Sequence, residues 1–284
     1  MHIVVCIKQV PDSAQIRVHP VTNTIMRQGV PTIINPYDLF AVEEALRMRD
    51  KVGGTVTVLT MGPQAAEDAL RRALTFGVDR AVLLTDRAFA GSDTLATSFA
   101  LAAALSKIGR EFGEPRVVFT GKQTIDGDTA QVGPGIAKRL KLNQLTYVAK
   151  IVAIKPAEGE IVVERRAEGG MQTLSTKLPV LITMLEGTNE IRRGTIDDAL
   201  RASRQEIVTW SAADAGITEV AKCGLKGSPT IVKKVFAPPP RAEKALQIAT
   251  ADQSMEELAE ATTKAIFKRR PKLEEDLIRF SAGP

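Results

Sequence analysis

Cysteine and histidine are scarce, and each shortage closes off a class of chemistry. Cys6 and Cys223 are the only cysteines of 284 residues, too few for a disulfide framework, which points to a reducing, cytoplasmic setting. With His2 and His19 they show no metal-ligand spacing. Neither histidine has a nucleophile elbow or a triad pattern around it, so hydrolysis by nucleophilic catalysis is not expected. One Trp, two Tyr and nine Phe are too few for a stacking platform. The net charge of +5 is spread without blocks of one sign, so no nucleic-acid partner is expected. It leaves a mild preference for anionic ligands. No run of about 18 apolar residues predicts a membrane span, and the start Met1-His2-Ile3-Val4-Val5-Cys6-Ile7 is too short for a secretory signal. If the protein does chemistry, a cofactor carries it.

What is present is an alternating α/β pattern. His2–Lys8 is a continuous apolar run, as expected of a strand covered on both faces. Ile16–His19 and Thr24–Arg27 flank Val21-Thr22-Asn23 and predict a small hairpin. Asn35-Pro36-Tyr37 reads as a turn, with Asp38 as N-cap of a helix carrying Leu39, Val42, Ala45, Leu46 and Met48 inward. Strands are predicted at Thr55–Met61, Arg80–Thr85 and Arg116–Thr120. Helices are predicted over Ala65–Phe76, from Ser92 or Asp93 to about Ile108, and from near Thr129 to Leu140. This order implies a doubly wound, mainly parallel, Rossmann-like sheet.

After Leu140 the pattern changes. Tyr147–Ile154, Glu160–Arg166, Met171–Thr176 and Val180–Leu185 read as short strands joined by tight turns, an antiparallel extension of the sheet. Glu186–Ser211 is irregular and charged, and Lys226–Pro240 reads as an extended Pro-rich linker. Met255–Arg269 has helical spacing. The expected organisation is a nucleotide-binding domain over 1–185, a partner-recognition loop and helical segment over 186–225, and an arm with a terminal helix over 226–284 that wraps a partner chain.

Ligands of such sheets bind beyond the carboxyl ends of the strands, at the switch point. Three loops are selected: Gln9–Ser13, Met61–Pro63 and Gly121–Gln131. The third runs small and polar into a helix, where free amides and the dipole favour phosphate, with Thr124, Thr129 and Gln131 as further donors. An ordinary helix start capped by Asp126 or Asp128, with Pro134 in its first turn, accounts for it equally well. The Walker pattern, the third glycine of the dinucleotide fingerprint and a Ser-Gly-Gly run are missing, so nucleotide binding without hydrolysis is the better reading.

The segment Val163-Glu164-Arg165-Arg166-Ala167-Glu168-Gly169-Gly170-Met171-Gln172-Thr173-Leu174, followed by Pro179-Val180-Leu181-Ile182-Thr183, resembles the motif of electron transfer flavoprotein beta subunits. Lys8, Val10, Asn35-Pro36, Met61-Gly62-Pro63 and Gly121-Lys122-Gln123 match the same family in order. The likeness is strong over residues 1–200 and closest to the nitrogen-fixation (FixA) type of the electron-bifurcating group. In ordinary members the beta subunit holds AMP, and an Asn and a Thr flank the Gln of its phosphate loop. Here Ala130 and Val132 stand there, around Gln131, and Val10-Pro11-Asp12-Ser13 resembles the Val-Pro-Asp-Thr of bifurcating members.

The resemblance implies FAD rather than AMP. Its adenosine part would lie against Cys6, Asn35, Met61 and Gly121, Lys122 and Gln123, with Tyr37 close by. Its pyrophosphate would lie over Asp128, Thr129, Ala130, Gln131 and Val132, and its ring past Val10, Pro11 and Asp12. It implies an alpha subunit of the FixB type, quinone oxidoreductase and ferredoxin-like subunits of the FixC and FixX types, NADH as donor and ferredoxin or flavodoxin as acceptor. Membrane association would then come through the partner subunits. The family's recognition loop falls at about Arg193–Leu200 with Ile196 as its apolar contact, although Ile196 could equally precede a helix starting at Asp197. Lys8 and Arg165 are candidate charges near a flavin, with surface or ion-pair roles favoured. A conventional AMP-binding beta subunit and a stand-alone adenine-nucleotide module remain the alternatives.

Overall fold

The computed structural model describes residues 1–12, 17–18, 25–26, 31–231, 247–248 and 253–281. Ser13, His19, the predicted hairpin turn and Pro238, Pro239 and Pro240 of the arm lie outside them.

The first unit, Met1–Phe236, begins with β1 (His2–Cys6), β2 (Gln9–Pro11), β3 (Arg17–Val18), β4 (Ile25–Met26) and β5 (Thr32–Ile34). Then come α1 (Pro36–Val52), β6 (Thr55–Met61), α2 (Glu67–Thr75), β7 (Arg80–Leu84), α3 (Thr94–Phe112), β8 (Val117–Gly121) and α4 (Val132–Leu140). The antiparallel extension is β9 (Asn143–Lys155), β10 (Glu160–Ala167) and β11 (Gly170–Lys177), followed by β12 (Val180–Met184), α5 (Ile196–Arg204) and β13 (Ile207–Trp210). Nine strands form one sheet in the order β11-β10-β9-β12-β8-β1-β6-β7-β13. Only β10 runs against the others, pairing antiparallel with β9 and β11. The predicted doubly wound α/β class is therefore observed.

Both faces of the sheet are covered, which is why its central strands are apolar without alternation. Ile3 and Val5 point to a core under α1 and α2, while Val4 and Cys6 point to one under α3 and α4. On α2 the inward residues are Ala69, Leu70, Ala73 and Leu74, as the spacing predicts. The short pairing of β3 with β4 is the predicted hairpin, at the residues described.

Several expectations are corrected. Asp38 is not the N-cap of α1. Asn35 holds that position, Pro36 follows it, and the Asp38 side chain turns inward, 4% exposed. Neither Asp126 nor Asp128 caps α4, which starts at Val132 with Gln131 before it. Residues 186–211 are not irregular throughout: Thr195 and Asp198 form a capping box for α5, and β13 completes the sheet beside β7. The segment 186–225 is thus built into the first unit, and a 3₁₀ turn over Gly224–Gly227 replaces the start of the expected linker.

Among its described residues the second unit, Ala237–Pro284, contains two helices where one was expected. They are α6 (Met255–Arg269), with a Ser254–Glu257 capping box, and α7 (Pro271–Ser281). No described helix is long and apolar enough to cross a membrane.

Candidate functional site

The chain builds β6 and β7 on one side of β1 and then returns to lay β8 on the other side. The switch point is therefore between β1 and β8, where a parallel sheet offers a crevice beyond its carboxyl ends. Two loops leave it: Ile7–Asp12, and Lys122–Gln131 running into α4.

The residues before α4 are held in an uncommon shape. Asp128 and Ala130 adopt φ of 48° and 55°, a left-handed conformation that costs a non-glycine residue roughly 1–2 kcal/mol. Neighbours hold it there. Gln123 Nε2 donates to Asp128 Oδ1 at 2.7 Å, and the Thr94 hydroxyl donates to Gln131 Oε1 at 2.8 Å. The amides of Gly127 and Asp128 turn back onto the Thr124 carbonyl. Among the described residues no acceptor meets the amides of Thr129, Ala130, Gln131, Val132 or Gly133. Five free donors at the positive end of a helix suit the oxygens of a phosphate.

Beneath these loops lies the start of α1. The Asn35 amide donates to the Lys8 carbonyl, its Nδ2 donates to the Gln123 carbonyl at 2.8 Å, and its Oδ1 accepts from the Ile125 amide. Asp38 Oδ2 accepts from the Lys8 amide at 2.8 Å and Oδ1 from the Gly121 amide at 3.0 Å. Position 121 must be glycine, because a Cβ there would come within 2.7 Å of Tyr37 backbone and 2.5 Å of the Asp38 carboxylate.

The electrostatics follow from burial. Burial pushes the Asp38 carboxyl up to about 7, against the opposing pull of the Lys8 and Gly121 amides, Asn35 and the Lys8 charge. Burial, with the Asp38 charge added, pushes the Cys6 thiol up to about 12, so Cys6 is a packing residue and no nucleophile. Burial also opposes the charge of Asp126. The Lys8 ammonium, 2.8 Å from both its oxygens, outweighs this and holds the carboxyl below its usual range.

Most of the predicted cofactor residues converge here. Cys6 ends β1, Asn35 and Tyr37 begin α1, and Gly121 ends β8. Lys122, Gln123 and Asp128–Gln131 form the loop, and Val132 opens α4. Lys122 Nζ lies 5.1 Å from the centre of the Tyr37 ring. Val10 and Pro11 lie on β2, which pairs with β5, and the Asp12 amide donates to the Pro31 carbonyl. Met61 ends β6, next to β1. Ile196 is not part of this cluster. Gly194 rests on the Thr75 carbonyl, at the far end of α2 from Met61, and Ile196 is 81% exposed. Arg165 binds the Thr146 carbonyl and Gln172. A groove of about 740 Å³ between Asp79 and Arg204 lies at the amino-terminal ends of β7 and β13, away from the crevice.

Asp38 is the residue that sequence reasoning missed. An acid two positions after Asn-Pro reads as a cap, and only the helix's orientation aims it under two strands.

The chain matches the profile of the electron transfer flavoprotein domain over residues 22–215. The protein FixA of Azorhizobium caulinodans is 71% identical over 283 residues, covering 100% of both chains. Protein FixA of Azotobacter vinelandii is 63% identical over 98% of this chain and 99% of its own. The electron transfer flavoprotein subunit beta of Clostridium acetobutylicum is 48% identical over 82% of this chain and 87% of its own. The chain belongs to the electron transfer flavoprotein family and, within it, to the beta subunits of the FixA type.

Proposed function

We propose that this beta subunit binds FAD and, with an alpha subunit of the FixB type, oxidises NADH by flavin-based bifurcation. One electron leaves toward a quinone oxidoreductase branch of the FixC and FixX types. The other leaves toward ferredoxin or flavodoxin, as reductant for nitrogen fixation. The observation that carries the reading is the strained loop at the switch point, whose five free amides at the start of α4 match a pyrophosphate.

Asp128–Val132 hold the pyrophosphate in this reading. Cys6, Asn35, Met61 and the Gly121–Gln123 backbone flank the adenosine part, and Val10, Pro11 and Asp12 face the ring. Ala130 and Val132 favour FAD over AMP, because ordinary AMP-binding members are expected to carry Asn and Thr there. When bound, FAD accepts a hydride and can release its two electrons separately. The chain's own part is to hold that cofactor and to exclude alternatives. Lys8 is committed to Asp126 and Arg165 to Thr146, so neither serves as a free charge beside the ring. Ile196, exposed at the start of α5, is assigned as the apolar contact for the acceptor.

The test is the nucleotide content of the co-expressed alpha–beta complex after denaturation and chromatography. Two FAD per heterodimer and no AMP support the reading. One FAD with one AMP overturns it and makes the protein a conventional carrier.

A further inference from the structure

The crevice opens because β1 and β8 each stay bonded to an outer neighbour. Cys6 and Thr120 are their last pair. Beyond it the Ile7 amide donates to the Leu59 carbonyl of β6 at 2.9 Å, and the Lys122 amide donates to the Met184 carbonyl of β12 at 2.8 Å. The chains part at this point, and the Lys8 and Gly121 amides lose any acceptor on the strand opposite. Asp38 fills the gap, one carboxylate oxygen to each amide.

Only a carboxylate answers both donors. An amide side chain has one oxygen and would turn an NH₂ toward the second N–H. The helix start does not need this acid, since Asn35 and Pro36 already supply it. A carboxylate kept at 4% exposure against the cost of burial therefore calls for another role. Its two bonds set the distance between the loop after β1 and the loop after β8.

We propose that Asp38 is a positioning residue for the bound nucleotide, tying the Lys8 and Gly121 amides together so that the two loops stand at the spacing FAD requires. The assignment rests on the FAD reading above. Ionised Asp38 accepts from both amides, whereas the protonated acid presents a hydroxyl that neither amide can use. FAD should therefore be held more weakly as pH falls through the neutral range. The ionisable neighbours are Cys6 on β1, Lys8 beyond it, Tyr37 on α1, and Lys122 and Asp126 beyond β8. Cys6 is pushed up to about 12 and Asp126 is held low, so neither changes charge there.

The experiment uses the intact alpha–beta complex, stripped and titrated with FAD from about pH 8.5 to about pH 6, with thermal midpoints recorded alongside. The wild type is expected to lose about tenfold in affinity for its second FAD over that range. Asp38→Asn should bind about tenfold more weakly at the alkaline end and show a flat profile. Lys8→Arg, which keeps the backbone amide and the charge beside Asp38 and Asp126, should keep the slope. A flat wild-type profile overturns the proposal even if Asp38→Asn does not fold. So does an Asp38→Asn complex with wild-type affinity and slope, or a Lys8→Arg complex without the slope. A wild-type complex with a single FAD overturns the FAD reading itself, and the count shows this before any variant is made.

Discussion

Glu43 is a carboxylate at 3% exposure that still carries its charge. Burial opposes the charge, but the hydrogen bonds from Arg192 and Arg47 outweigh it and hold the carboxyl below its usual range. A lowered folded value gives stability that is full above about 4.5 and is lost as pH falls from there through the lower folded value. Arg192→Met leaves Glu43 with Arg47 alone and should cost about 2 kcal/mol at neutral pH, an effect that shrinks below about pH 4. Urea denaturation at several pH values reads both. Asp38 works in the opposite sense. Its folded value is raised to about 7 from 3.8, so its contribution is full below the lower value and is lost as pH rises to the upper one. Asp38→Asn should remove that fall between about pH 4 and pH 7 from the same series. Single side chains were readable where chain-local chemistry decided them, as with Asp93 capping α3. They were not where the partner is distant, as with Glu43 and Arg192, 149 positions apart.

Among the elements, α4 starts directly against the sheet it serves. A Cβ at Gly133 would come within 2.9 Å of both Thr120 Oγ1 and Thr183 Cγ2, so the helix start rests directly on β8 and β12. Gly133→Val should lift that start, misplace the amides of Thr129–Val132 and reduce FAD retained through gel filtration of the complex about tenfold or more. The mid-sheet strands and α2 were legible because buried periodicity is long and unambiguous there. The strand β13 was not, because its four residues Ile207–Trp210 carry no such pattern and pair with a strand over a hundred positions earlier. A helix near Asp197 was legible as one of two equal readings, and α5 realises it from Ile196 onward, with Ala202 its single buried residue. For the candidate site, the loops were legible from glycine and the switch-point rule, while the inward turn of Asp38 depended on tertiary geometry.

The assembled protein presents apolar side chains at several unrelated places. Among the described residues Ile196 is the most exposed large apolar side chain of the first unit, and Met255, Leu277 and Ile278 are exposed on the second. Because nothing in the core depends on Ile196, Ile196→Asp should leave FAD content and thermal midpoint unchanged and slow reduction of the acceptor about tenfold. An unaltered steady-state rate would remove this residue from the acceptor contact. The Pro-rich arm expected to embrace a partner remains a proposal of the same kind, tested by truncation at about residue 231 and the heterodimer's dissociation constant.

The position of β13 also dictates an order of events during synthesis. Ala81–Leu84 of β7 receive their outer neighbour only from Ile207–Trp210. Roughly 120 residues must be translated in between, which takes roughly 6–25 s at ordinary elongation rates. Throughout that interval the nascent chain carries an apolar, unpaired β edge, open to any other strand that meets it. The sole tryptophan, Trp210, arrives with the strand that closes this edge and becomes 5% exposed there. Its fluorescence therefore times the covering of the β7 edge, and the demand for chaperones at that edge should concentrate before it.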